Sequence, residues 1–172
     1  MNNEKELTMM TTIDVIYLDM DGVLSDFMSK YRELNGEFKR DGEGKKSTAW
    51  NDFCEGGHFS NLDAWPGCTE LIELVEGIRG EVRVEILTST GGVYHHDRVE
   101  ADKKRWCEER GIFYKVNTVP GRWKKKEWAT PQSILIDDTE DVIRDWTLAG
   151  GKGILHRDND TTFKILKKYL TL

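Results

Sequence analysis

Three short apolar runs, each stopping on a cluster of oxygen-bearing side chains, constrain this chain more than any other feature. The first fills residues 13–18 and stops on Asp19-Met20-Asp21-Gly22. The second, Val82-Arg83-Val84-Glu85-Ile86-Leu87, stops on Thr88-Ser89-Thr90-Gly91-Gly92. The third, Ser133-Ile134-Leu135-Ile136, stops on Asp137-Asp138. Short apolar runs of this kind, too short for an ordinary helix, read as buried strands. Weaker strands are expected at 113–116 and 153–156. Helical spacing of apolar residues falls between them, at 69–78, 97–110, 140–149 and 161–169. Strands alternating with helices predict an α/β fold, a parallel sheet covered on both faces in three layers.

Residues 25–64 break the alternation. They are rich in Gly, Lys, Glu and Asp, with Phe27, Tyr31, Phe38, Trp50, Phe53 and Phe59 scattered through them. An insertion this long exceeds an ordinary connection in an α/β unit. It is read as a small, mostly helical cap above the carboxyl edge of the sheet. The core domain is then 12–24 plus 65–172, and the polar residues 1–11 form a loose tail.

The 172 residues suffice to bury one real core. A net charge of -6 argues against stable nucleic-acid binding, which relies on neutralising phosphates with cations. The three cysteines, Cys54, Cys68 and Cys107, show no paired spacing, so a reducing, cytoplasmic setting is the simpler expectation. Residues 1–12 do not resemble a secretory signal, and no run approaches the roughly 20 apolar residues of a membrane span.

Ligands of open α/β sheets bind beyond the carboxyl ends of the strands. Asp19, Asp21, Thr88, Ser89, Asp137 and Asp138 therefore converge on one crevice. Four carboxylates together call for a cation, and hard oxygen ligands suit Mg²⁺. The hydroxyls of Thr88 and Ser89 suit phosphate oxygens. Arg122 and the run Lys124-Lys125-Lys126 can neutralise charge growing on a transferring phosphoryl group. Each piece has a plainer reading alone: a turn aspartate, a helix cap, a solvated lysine face. Their order and strand-end placement make the conjunction far more specific.

Asp19-Met20-Asp21-Gly22-Val23-Leu24 resembles motif I of the haloacid dehalogenase (HAD) superfamily. Leu87-Thr88-Ser89 resembles its motif II, Lys126 its motif III, and Ile134-Leu135-Ile136-Asp137-Asp138 its motif IV. Residues 19–27 (DMDGVLSDF) are also similar to the 5'(3')-deoxyribonucleotidases, which carry a short helical cap after motif I. The resemblance implies a HAD-like Rossmannoid core and a Mg²⁺-dependent phosphatase. Asp19 would be the nucleophile and Asp21 the acid and base. Thr88 and Ser89 would bind the phosphoryl group, and Lys126 would balance charge, with Lys124 and Lys125 as alternatives for that lysine. Metal ligands would be Asp19, the Asp21 carbonyl and Asp138, with Asp137 acting through water. Phe27 matches an aromatic that stacks the nucleobase; its plainer reading is a cap-core residue.

The expected substrate is a nucleoside monophosphate. Other phosphomonoesters, such as a sugar phosphate or a polynucleotide 3'-phosphate, and a non-catalytic binding module of the same fold are the competing readings. His95-His96 lacks further ligands at zinc spacing. The aromatic and basic residues at 122–126 keep the polynucleotide version open.

Overall fold

The structure is a computed structural model that describes residues 12–38 and 47–170. The expected tail at 1–11 and positions 39–46 of the expected cap lie outside the described residues. The strands are β1 (Val15–Leu18), β2 (Arg83–Ser89), β3 (Lys115–Val119), β4 (Ser133–Asp137) and β5 (Lys152–Leu155). All pair in parallel, in the order β3-β2-β1-β4-β5. The helices are α1 (Phe27–Asn35), α2 (Thr48–Glu55), α3 (Cys68–Ile78), α4 (His96–Glu109), α5 (Glu140–Leu148) and α6 (Asn159–Tyr169).

Alternation along the strands divides the core into two faces, as a period of two demands. Ile16 and Leu18 of β1, with Val84, Ile86, Ile134 and Ile136, meet Leu71 and Val75 of α3, Trp106 of α4 and Leu166 of α6. Val15 and Tyr17 face the other way, with Leu87, Val119 and Leu135, against Val142 and Trp146 of α5. The expected three layers are therefore present. No helix among the described residues is long and apolar enough to cross a membrane. The three cysteines are buried and none is in a disulfide.

Two segments differ from the sequence expectation. β3 starts two residues later than expected and continues to Val119. Its polar residues hid it: Asn117 is buried, donating from Nδ2 to Glu85 Oε2 at 2.8 Å and to the Ile86 carbonyl at 3.0 Å. Phe113, the most apolar part of the expected strand, is 84% exposed instead. The basic run before β4 folds as a 3₁₀ helix, Arg122–Trp128.

Between β1 and α3 the chain forms α1, α2 and a 3₁₀ turn at His58–Asn61. Asp26 and Ser47 cap the two helices, accepting from the amides of Ser29 and Trp50. The rings of Phe27, Tyr31, Phe38, Trp50, Phe53 and Phe59 pack together. The layer is fastened to α4 and its approach. Asn51 Oδ1 lies 3.0 Å from His95 Nε2, and the Leu62 carbonyl accepts from Trp106 Nε1 and Arg110 Nη2, both at 2.7 Å.

Candidate active site

β1 is the centre of the sheet, and Leu18 pairs with Ile86 on one side and Ile136 on the other. β4 runs one residue and β2 three residues beyond the level of Leu18. Asp19, Thr88 and Asp137-Asp138, at or just past the carboxyl ends of their strands, arrive at one edge because of that register. Order also reverses at β1, the kind of switch point where α/β sheets open a crevice.

After Asp19 the chain turns at once. The Met20 carbonyl accepts from the amides of Val23, Leu24 and Ser25. Gly22 sits at φ +86°, and a Cβ there would lie 2.3 Å from Asp138 Oδ2. Glycine is required on both counts, by the left-handed backbone and by the approach of Asp138. The turn brings Ser25, fully buried, within 3.1 Å of Asp21, its hydroxyl donating to Oδ1.

Two buried lysines organise the carboxylates. Lys125 Nζ lies 2.8 Å from Asp19 Oδ1 and 2.7 Å from Asp137 Oδ2. Lys103 Nζ, on α4, donates to Asp21 Oδ2 at 2.7 Å and to Thr88 Oγ1 at 2.8 Å. Lys103 is 0% exposed and Lys125 2%. Burial opposes the charge on Lys125, but attraction to Asp137 and Asp19 and hydrogen bonds to both outweigh it, so its pKa is raised. Asp19 is pushed up to about 8, first by burial and then by Asp137 and Asp21, against the pull of Lys125 and Lys103. Burial and the neighbouring Asp137 also raise Asp138. Carboxylates crowded in this way gain most from a bound cation.

The oxygens fit one. Asp19, Asp137 and Asp138 each offer an oxygen within 4.8 Å of the other two. Asp137 already uses both of its own, Oδ1 accepting from the Thr139 amide and Oδ2 from Lys125. Asp19 Oδ1 accepts from the Met20 amide and Lys125. Asp19 Oδ2 and the Asp138 carboxylate are thus the oxygens best placed to hold Mg²⁺. Asp137 instead anchors Lys125.

Three expected residues, Lys126, Arg122 and Phe27, stand elsewhere. The lysine that reaches the carboxylates is Lys125, not Lys126. A 3₁₀ helix has three residues per turn, so one step along it swings a side chain by about 120°. Lys126 therefore points outward, where it lines a shallow pocket with Arg122, Trp123, Asp141 and Asp145. Arg122 itself is paired with Asp141 Oδ2 at 2.5 Å. Phe27 is the third correction. It stacks on Phe59 at 5.6 Å and 4°, and Tyr31, Phe38, Trp50 and Phe53 surround it. No open face is left for a nucleobase. Ser89 ends β2, half-buried beside Thr88.

Lys103 escaped the sequence reading. Its signal was present: Val99, Asp102, Lys103, Trp106 and Cys107 form the buried stripe of α4, and a lysine in such a stripe needs a partner.

No protein-family model matches the chain, and no curated protein matches it. Solved structures align with it along most of its length at low identity. A hydrolase from Streptococcus pneumoniae is 14% identical, covering 94% of this chain and 100% of its own, with a TM-score of 0.49. The putative HAD-hydrolase YfnB from Bacillus subtilis, described bound to magnesium, is 13% identical over 94% and 100%, with a TM-score of 0.47. The HAD domain of effector protein Lem4 from Legionella pneumophila is 13% identical over 94% and 96%, also at 0.47. At such scores the likeness adds no weight; the reading of the site rests on its own side chains.

Proposed function

We propose that this chain is a Mg²⁺-dependent phosphomonoester hydrolase of the HAD type, working through a phosphoryl-aspartate on Asp19. One observation carries the reading. Asp19 and Asp138 converge at adjacent strand ends, while Lys125 binds both Asp19 and the neighbouring Asp137. A module that only bound a ligand would have no use for a buried carboxylate held this way.

In the first step a carboxylate oxygen of Asp19 forms a bond to phosphorus and the ester P–O bond breaks. Asp21 gives its proton to the departing alkoxide. In the second, water forms a bond to phosphorus, Asp21 takes its proton, and the bond to Asp19 breaks, releasing inorganic phosphate. Splitting one displacement into two lets the same side chain serve as acid and then base. Asp19, Asp138 and the Asp21 carbonyl would hold Mg²⁺, which would neutralise negative charge at phosphorus. Lys125 adds a fixed positive charge, and the Thr88 and Ser89 hydroxyls orient the phosphoryl oxygens.

The finer reading, a 5'(3')-deoxyribonucleotidase acting on nucleoside monophosphates, rests on the similarity of residues 19–27. The enclosure of Phe27 favours a second reading, a phosphomonoester without a base. A panel of nucleoside monophosphates, sugar phosphates and 3'-phosphorylated oligonucleotides, assayed with Mg²⁺ and after chelation, separates them. Turnover of nucleotides at least ten-fold above the others supports the nucleotidase; no Mg²⁺-dependent turnover of any of them refutes the hydrolase.

A further inference from the structure

The proposed chemistry uses one lysine, Lys125, yet the crevice holds two. Lys103 comes from the middle of α4, and its ammonium is fully buried. Withdrawing an ammonium from water costs several kcal/mol unless its protons find good acceptors. Here one N–H goes to Asp21 Oδ2 and another to Thr88 Oγ1. The ammonium also lies 5.1 Å from the centre of the Phe59 ring, a cation–π distance. Lys103 thus touches three things at once: the acid and base aspartate, the phosphate-binding hydroxyl, and the aromatic layer above the sheet. Its neighbour Lys104 only pairs with Glu100 on the surface.

The contacts fix orientation. Asp21 is gripped from two sides, by Lys103 at Oδ2 and by the Ser25 hydroxyl at Oδ1. A carboxylate so held cannot swing about its Cβ–Cγ bond without breaking a hydrogen bond. Thr88 Oγ1 accepts from Lys103, which leaves its own hydroxyl proton available for a phosphoryl oxygen. One ammonium therefore sets the spacing between the group that handles the proton and the group that holds the phosphate.

We propose that Lys103 is a positioning residue, which holds Asp21 and Thr88 in mutual register for proton delivery to the leaving group and couples that register to the seating of Phe59. This rests on the hydrolase reading above. A lysine that merely anchored α4 against the cap would slow every substrate alike. A lysine that aims Asp21 has a selective effect. An alkyl phosphate has a poor leaving group and needs the proton; para-nitrophenyl phosphate has a good one and needs it far less.

The test compares kcat/KM of wild type, Lys103→Met and Lys103→Gln on both substrates with Mg²⁺. General acid catalysis contributes about 10²–10⁴-fold, so the loss on the alkyl phosphate should exceed that on para-nitrophenyl phosphate by about ten-fold or more. Lys103→Gln keeps a donor, one atom shorter and without the buried charge, and supplies the comparison if Lys103→Met does not fold. Equal losses on the two substrates, or no loss, overturn the proposal. The hydrolase reading fails in a different way, through a wild-type protein inactive on both.

Discussion

The sheet edge and the aromatic layer between β1 and α3 are built from opposite materials. At the edge, Asp19, Asp21, Asp137, Asp138, Lys103 and Lys125 form an electrostatic network in which most oxygens and ammonium protons have a partner. In the aromatic layer, six rings pack on one another with few polar contacts. Ring packing is tolerant: it needs volume and shape, and many sequences supply both. The charged edge is not, because removing one member leaves another buried and unpaired. The comparison implies that edge substitutions change chemistry first, whereas cap substitutions change stability first.

Asp19→Asn should break the edge most completely. Loss of a nucleophile costs several orders of magnitude in kcat, about 10⁴ or more for groups acting as a unit. The fold should survive, since a neutral amide replaces a carboxylate whose ionisation burial opposes. Steady-state kinetics and circular dichroism check the two halves; near-normal turnover by the folded variant would sink the mechanism.

Lys125→Met should abolish turnover and also destabilise the metal-free protein by about 3–5 kcal/mol, because the buried Asp137 carboxylate loses its counter-charge. Lys126→Ala should change kcat/KM less than about two-fold, as expected for an exposed surface position. Urea unfolding and kinetics on the pair decide which lysine belongs to the site.

Phe27→Ala should reverse the pattern. Truncating a buried phenylalanine costs about 3–5 kcal/mol. Relative losses in kcat/KM on a nucleoside monophosphate and on para-nitrophenyl phosphate should agree within about two-fold, because Phe27 has no open face. A selective rise in KM for the nucleotide, by the ten-fold that about 1.4 kcal/mol of stacking is worth, would return Phe27 to the binding site.

The smallest effect is one of pH. Without metal, Asp19 keeps its proton up to about 8. In the unfolded chain it loses that proton near about 4. Between these values the folded state binds more protons, so the stability of the metal-free protein falls as pH rises through the window. Mg²⁺ binds the ionised form, so its stabilising effect should grow over the same range. Calorimetric melting with Mg²⁺ and with a chelator, at about pH 5.5 and about pH 8, measures it; an equal Mg²⁺ increment at both would contradict the crowding of Asp19.

Sequence reached the sheet and the carboxylates because both are local signals. A β-branched run that stops on Asp19 or Asp137 declares its strand and its strand end within six residues. Lys103 was not legible in the same way, since only the docking of α4 turns it toward Asp21. Three successive lysines carry no phase information, so the choice between Lys125 and Lys126 waited on a 3₁₀ helix that the composition did not announce. Phe27 fitted a motif by spacing, but its surroundings come from α2 and Phe59, more than twenty residues away in the chain.

The phosphoryl-aspartate is the central claim, and trapping it is the most direct test. The protein is mixed with Mg²⁺ and para-nitrophenyl phosphate, quenched in the steady state, treated with hydroxylamine, and digested for peptide mass spectrometry. Hydroxylamine converts an acyl phosphate to a hydroxamate, so the account requires that modification at Asp19 in substrate-treated protein and its absence in the untreated control. Sustained turnover with Asp19 unmodified, or the hydroxamate on another carboxylate, would contradict it.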